Sequence, residues 1–129
     1  MIAGLITKLS TDALVTPTIP GGIYPVLLPQ DATFPCATYQ VISTTAEYDL
    51  NGKAGVEQSR LQVDIWSNTT YASTQAAQQA IRACLESFTG DLPDGTHVLD
   101  IRVANVTDYY DSGLLSFRVQ TDYIIQYLS

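Results

Sequence analysis

The stretch Arg60–Phe88, RLQVDIWSNTTYASTQAAQQAIRACLESF, constrains the fold more than any other, because its apolar period changes once. Leu61, Val63 and Ile65 alternate with Gln62, Asp64 and Trp66, the period of two of a half-buried strand. After Ser67-Asn68-Thr69-Thr70, a run of possible N-caps, Ala77, Ile81, Cys84, Leu85 and Phe88 recur at spacings of three and four. That spacing draws one apolar stripe down a helix. Ala72, Ala76, Ala80 and Ala83 flank the stripe and favour helix by propensity. Gln75, Gln78, Gln79, Arg82 and Glu86 make the opposite face, and Gly90 and Pro93 end the helix. These periods predict a nucleus in which a strand feeds a helix that folds back over its own sheet.

The rest of the chain supplies strands to that nucleus. Residues 2–9 predict a short helix with Ile2, Leu5, Ile6 and Leu9 on one face, weakened by Gly4. Pro17 and Pro20-Gly21-Gly22 break the chain, and the apolar run Ile23–Leu28, interrupted by Pro25, suits an edge strand. Pro29–Pro35 is a connection. Cys36–Tyr48 is rich in Thr, Tyr, Val and Ile, which favours a strand. Asn51-Gly52 then signals a hairpin back into the central strand, with Asp49–Gly55 as a mobile, solvent-facing crest. His97–Val106 alternates Leu99, Ile101 and Val103 with Asp100, Arg102 and Ala104. After the turn Thr107–Gly113, Leu114–Leu128 closes a second hairpin, with Leu115, Phe117, Val119, Tyr123, Ile125 and Tyr127 on one face. The expectation is an α+β fold: an antiparallel sheet of four to five strands, one main helix packed on one face and a short N-terminal helix, in a single domain over 1–129.

Charge narrows the function. Thirteen acids against six bases give a net charge of −7, which opposes a phosphate-gripping surface and docking on anionic membranes. No apolar run approaches the ~20 residues that span a bilayer. The start MIAGLITKLS lacks the charged opening and long apolar core of a signal peptide, so a cytoplasmic site of synthesis is expected. In such a compartment Cys36 and Cys84 read as free thiols. With one histidine, His97, they make no metal site.

Enzyme signatures are absent: no GxSxG elbow, Walker loop, strand-following GxGxxG or HExxH. No catalytic residue, cofactor or metal is expected. His97, after Asp94-Gly95-Thr96, reads as an exposed loop residue. Asp64, mid-strand, is either a ligand or base, or part of a solvated face paired with Arg60 or Arg118. Trp66 on the same face either closes the sheet or anchors an interface. The eight tyrosines suit subunit contacts, since tyrosine buries area at low entropy cost and keeps a polar tip; they also suit strands. Interface candidates are therefore Trp66, with Tyr48, Asp49, Leu50 and Lys53 at the first hairpin and Tyr109, Tyr110 and Asp111 at the second.

Leu61-Gln62-Val63-Asp64-Ile65-Trp66-Ser67, followed by a helix with Ala76, Ile81, Arg82, Ala83 and Leu85, resembles the central signature of the tail-completion proteins of long-tailed bacteriophages, also described as tail-terminator or head–tail joining proteins. Gly22-Ile23-Tyr24 is similar to that family's first strand, Phe34–Val41 to its second, and Ser116–Gln126 to its closing strand. An arginine expected before the Ile-Tyr pair is Gly22 here. The resemblance implies a structural virion protein that caps the tail tube as a sixfold ring and joins it to the head connector, with DNA passing through unbound. Its partners would be further copies of itself, the major tail tube protein and a head connector or head-completion protein. It would act in the virion at the head–tail junction, after assembly in the host cytoplasm. The alternatives are another head-completion or minor tail protein of similar fold, or a small-molecule-binding α+β domain.

Overall fold

The structure is a computed structural model and describes residues 1–49, 52–113 and 115–128. The order is helix α1 (Ile2–Thr11), a short 3₁₀ turn (Thr16–Thr18), β1 (Ile23–Pro25), β2 (Cys36–Asp49), β3 (Gly52–Ser67), α2 (Tyr71–Leu85), β4 (Gly90–Asp91), β5 (His97–Asp111) and β6 (Ser116–Leu128). The strands form one sheet in the order β1-β2-β3-β6-β5-β4. This corrects the expected antiparallel sheet of four to five strands: among the described residues the sheet has six strands, is mixed, and curls into a half-barrel, so sheet dominates the fold. The mixing comes from β1, which pairs parallel to β2 with Ile23 opposite Ala37. Residues 26–35 are the connection that carries the chain back to start β2 beside β1. The sixth strand, β4, has two residues, too few to show a period.

Both expected hairpins form. β2 pairs with β3 up to Asp49 opposite Gly52, so Asp49, Gly52 and Lys53 of the presumed crest Asp49–Gly55 are paired strand, while Leu50 and Asn51 lie outside the described residues. β5 pairs with β6 from Val98 opposite Tyr127 to Asp111 opposite Ser116. Leu115 is not part of the closing strand; it sits in the turn at φ 51° and is 66% exposed, and Leu114 lies outside the described residues.

The helix α2 is capped by Thr70, whose hydroxyl accepts the Ser73 N–H. It ends at Leu85, three residues short of Phe88. Ser87 turns left-handed (φ 65°) and donates its N–H to the Ile101 carbonyl at 2.7 Å, which ties the exit to β5 before Gly90 is reached. Thr74, Ala77, Gln78, Ile81 and Leu85 are the buried row. Gln78, expected on the polar face, is 5% exposed, because the stripe's axis runs between Ala77 and Gln78. Leu5 and Leu9 of α1, Ile81 and Leu85 of α2, and Leu61, Val63, Ile65, Ile101, Tyr123 and Ile125 of the sheet share one core, each at most 1% exposed. Gly22 adopts φ +88°, where a side chain is strained, so no arginine suits that position.

α1 has no side-chain cap of its own. Asp94, in the turn before β5, supplies one from across the fold. Its carboxylate accepts the Gly4 N–H at 3.1 Å and lies 3.2 Å from the Met1 ammonium. The Thr96 N–H, also bonded to it, is the first cause that holds the Asp94 carboxyl down at about 2. A folded-state value below the ordinary one adds stability above the ordinary carboxylate range, and that stability is lost as pH falls through about 2. Asp94→Asn is therefore expected to lower the thermal midpoint at neutral pH, with the gap to wild type closing near pH 2. Equal midpoints at neutral pH would contradict the cap.

Candidate functional site

On β3 the even residues face away from the helices, and cross-strand register decides what meets there. Trp66 stands opposite Arg118 of β6, and Arg118 opposite Tyr109 of β5. One row therefore carries ring, guanidinium and ring: Arg118 lies 5.0 Å from the Trp66 ring centre and 4.3 Å from that of Tyr109. Such contacts gain strength as the cation loses water. The Trp66 indole N–H donates to the Thr38 hydroxyl of β2 at 3.2 Å, which fixes the ring.

Trp66 is the ridge between two clefts. One, of about 390 Å³, is lined by Trp66, Tyr109, Tyr110, Asp111, Ser112, Ser116 and Arg118. The other, of about 420 Å³, runs along Val26, Leu27, Leu28 and Phe34 and is mostly apolar. Ser116 borders both, is 6% exposed, and its hydroxyl has no partner among the described residues. The rim is apolar for a surface: Leu27 is 77% exposed, Val26 58%, Tyr110 55% and Tyr109 44%. Val26 takes φ 62°, a strained conformation for a β-branched residue and of a kind that clusters at contact sites. Exposed apolar residues gathered in this way are of the kind that interaction surfaces present.

The neighbouring row carries Asp64, 3.9 Å from Arg118 Nε. Of the two pairings open from sequence, Arg60 goes instead to Asp122 at 2.7 Å. Burial pushes the Asp64 carboxyl up, and Arg118 pulls it back only in part. A raised folded-state value means full stability below the ordinary carboxylate range, lost as pH rises through the raised value. Asp64→Asn is expected to leave the neutral-pH melting midpoint unchanged or higher, an advantage that fades in acid. A midpoint several degrees lower at neutral pH would show that the Arg118 attraction outweighs burial.

Of the eight candidates, Trp66, Tyr109, Tyr110 and Asp111 come together in this groove. Tyr48, Asp49 and Lys53 sit on the backbone of β2 and β3 at the far hairpin, up to about 45 Å away at the usual strand rise; Leu50 lies outside the described residues. Arg118, Ser116 and the Val26–Leu28 rim were not singled out for this site, since only register and the crossover bring them to it.

Among the described residues nothing in the groove assembles a nucleophile and base. Burial pushes the Cys36 and Cys84 thiols up to about 11, which keeps them protonated, and both are free. His97 opens β5, exposed, with Nδ1 2.8 Å from the Asp91 carboxylate. Among the described residues no three His, Cys, Asp or Glu side chains gather as a metal site, and no helix is long and apolar enough to cross a membrane.

The family described as Tail completion protein gp17 matches residues 3–127. No curated protein matches the chain. A chain in the solved structure "Virion of native gene transfer agent (GTA) particle" superposes with a TM-score of 0.82, covering 98% of this chain and 93% of that one at 12% identity, which shows a shared fold.

Proposed function

Because the chain belongs to the Tail completion protein gp17 family and is a structural protein of the virion tail, we propose that it caps the tail tube as a sixfold ring and joins the tail to the head connector. The observation that carries this reading is the family match over residues 3–127; the groove at Trp66 supplies a surface of the right kind. Interfaces favour Trp, Tyr and Arg anchors in pockets ringed by less important contacts, and this groove combines all three. No enzymatic step is assigned. Acids outnumber bases by thirteen to six, and an acidic ring repels phosphates, so DNA would slide through without binding.

The test is electron microscopy of purified protein mixed with tail tubes from a phage lacking this gene. Rings at one end of each tube, and recovery of joined particles when heads are added, are the expected result. Protein that stays off the tubes, or decorates their whole length, would overturn the cap reading.

A further inference from the structure

Arg118, the cation in the groove at Trp66, hydrogen-bonds to no acceptor among the described residues. Asp64 comes nearest, and its Oδ1 stops 3.9 Å from Nε, close enough for attraction between charges but too far for a hydrogen bond. Asp111 lines the same cleft, but its Oδ1 accepts the Gly113 N–H at 2.9 Å. Stacking holds the guanidinium in the absence of an acceptor. The Trp66 ring on β3 and the Tyr109 ring on β5 flank it from the two neighbouring strands. Rings engage the face of a guanidinium and leave its edge of N–H donors unused. The side chain is 29% exposed and lines the cleft. Beside it the buried Ser116 hydroxyl also has no partner among the described residues.

Whatever covers this groove takes water from those donors. A wholly apolar partner would return nothing for it, and an unmade bond to a charged group costs more than one to a neutral group. A basic partner finds its place taken, because the two rings that could hold a foreign cation already hold Arg118. A run of phosphates would bring repeated charge against Asp64 and Asp111, on a chain of net charge −7. A single carboxylate adds one charge where the donors converge. It matches the planar fork with two parallel bonds, shorter and stronger than those to a neutral acceptor. Across the Trp66 ridge the second cleft has no charged residue in its lining, so it suits an apolar side chain.

We infer that the protein partner docking here is not a second copy and brings a carboxylate side chain to Arg118 and Ser116, beside a large apolar side chain that enters the cleft across Trp66. The inference rests on the groove being the docking surface for the tail or head partner, and it names the chemistry of that partner.

Sedimentation with tail tubes, at low and at high salt, gives the main readout, with joined particles counted after heads are added. Arg118→Gln keeps a polar end without the charge. It is expected to weaken attachment by about 30-fold or more, the effect of removing one partner of a buried charge pair. Arg118→Lys keeps the charge and loses the paired donors, so its attachment should fall between the two. Arg118→Gln also leaves Asp64 buried beside no cation, so the double variant Asp64→Asn, Arg118→Gln is made with it. Urea melts show that each variant folds, and the double variant should lose attachment as fully as the single one. Salt should weaken attachment of the wild type and leave that of the double variant nearly unchanged, because only the wild type has an ion pair to screen.

Wild-type attachment by the folded double variant, in a preparation where Trp66→Ala loses it, would overturn the carboxylate and leave the groove as the docking surface. Equal salt dependence in the two proteins would overturn it as well, since a neutral acceptor is not screened. A fluorescent DNA duplex bound by wild type and not by Arg118→Gln would give the guanidinium to a phosphate. Self-association of wild type without tubes, absent in Arg118→Gln, would give it to a second copy. Either result overturns the proposal. Normal attachment by Trp66→Ala, or none by wild type, would remove the groove as the docking surface and the inference with it.

Discussion

Leu85→Ala is expected to cost about 2–5 kcal/mol, the range for truncating a fully buried leucine. Leu85 is 0% exposed at the last turn of α2, in the same core as Ile81, Val63 and Ile65. The site has little room to collapse. The helix ends there, and its exit is bonded to Ile101 through Ser87, so the backbone cannot settle into the gap. Total stabilities of domains this size run at about 5–15 kcal/mol, so the variant would lose a large share. Urea unfolding measures the loss as a lower midpoint at unchanged slope. A change under about 0.5 kcal/mol, as for a surface site, would mean that Leu85 does not seal the core. Gln79→Ala on the exposed side of the same helix is the control.

Trp66→Ala is expected to cut attachment to the tail or head partner by about 30-fold or more, the equivalent of the ~2 kcal/mol lost at an interface hot spot. The side chain separates the two clefts and stacks on Arg118, so removing it merges the clefts and frees the guanidinium. It lies on the sheet face away from the helices and is partly exposed, so the core below is untouched. Trp66→Phe keeps a ring against Arg118 and should restore most of the binding. Sedimentation of labelled protein with tail tubes, and counts of joined particles, give the readout. Normal joining by a folded Trp66→Ala protein would remove the groove from the docking surface.

The long elements were legible because their periods are long. Fifteen residues of α2 and thirteen to sixteen in each of β3, β5 and β6 repeat a pattern often enough to be read. β4 could not be read, with two residues, nor could the parallel pairing of β1, whose three residues say nothing of direction. Gln78 went to the wrong face because its polarity outweighs its place on the stripe. At the groove, Trp66, Tyr109 and Tyr110 stood out by residue type. Arg118 did not: its meaning comes from lying one rung from both rings, and rungs are fixed by turns and bulges such as that between Val103 and Asn105. The Val26–Leu28 run looked like part of a strand, and only the left-handed turn at Val26 takes it out of the sheet to form a rim.

The cap on α1 also sets an order of events during synthesis. Gly4 leaves the ribosome ninety residues before its partner Asp94, an interval on the order of 5–20 s at ordinary elongation rates. Throughout it the first helix lacks that cap, and its leucines lack the part of their core that β5 and β6 supply. The β2–β3 hairpin, built from near neighbours in sequence, can close in that time. The N-terminal segment must wait for its cap although it is made first. A nascent chain stalled before residue 94 should therefore leave residues 2–11 open to protease while the hairpin is already protected.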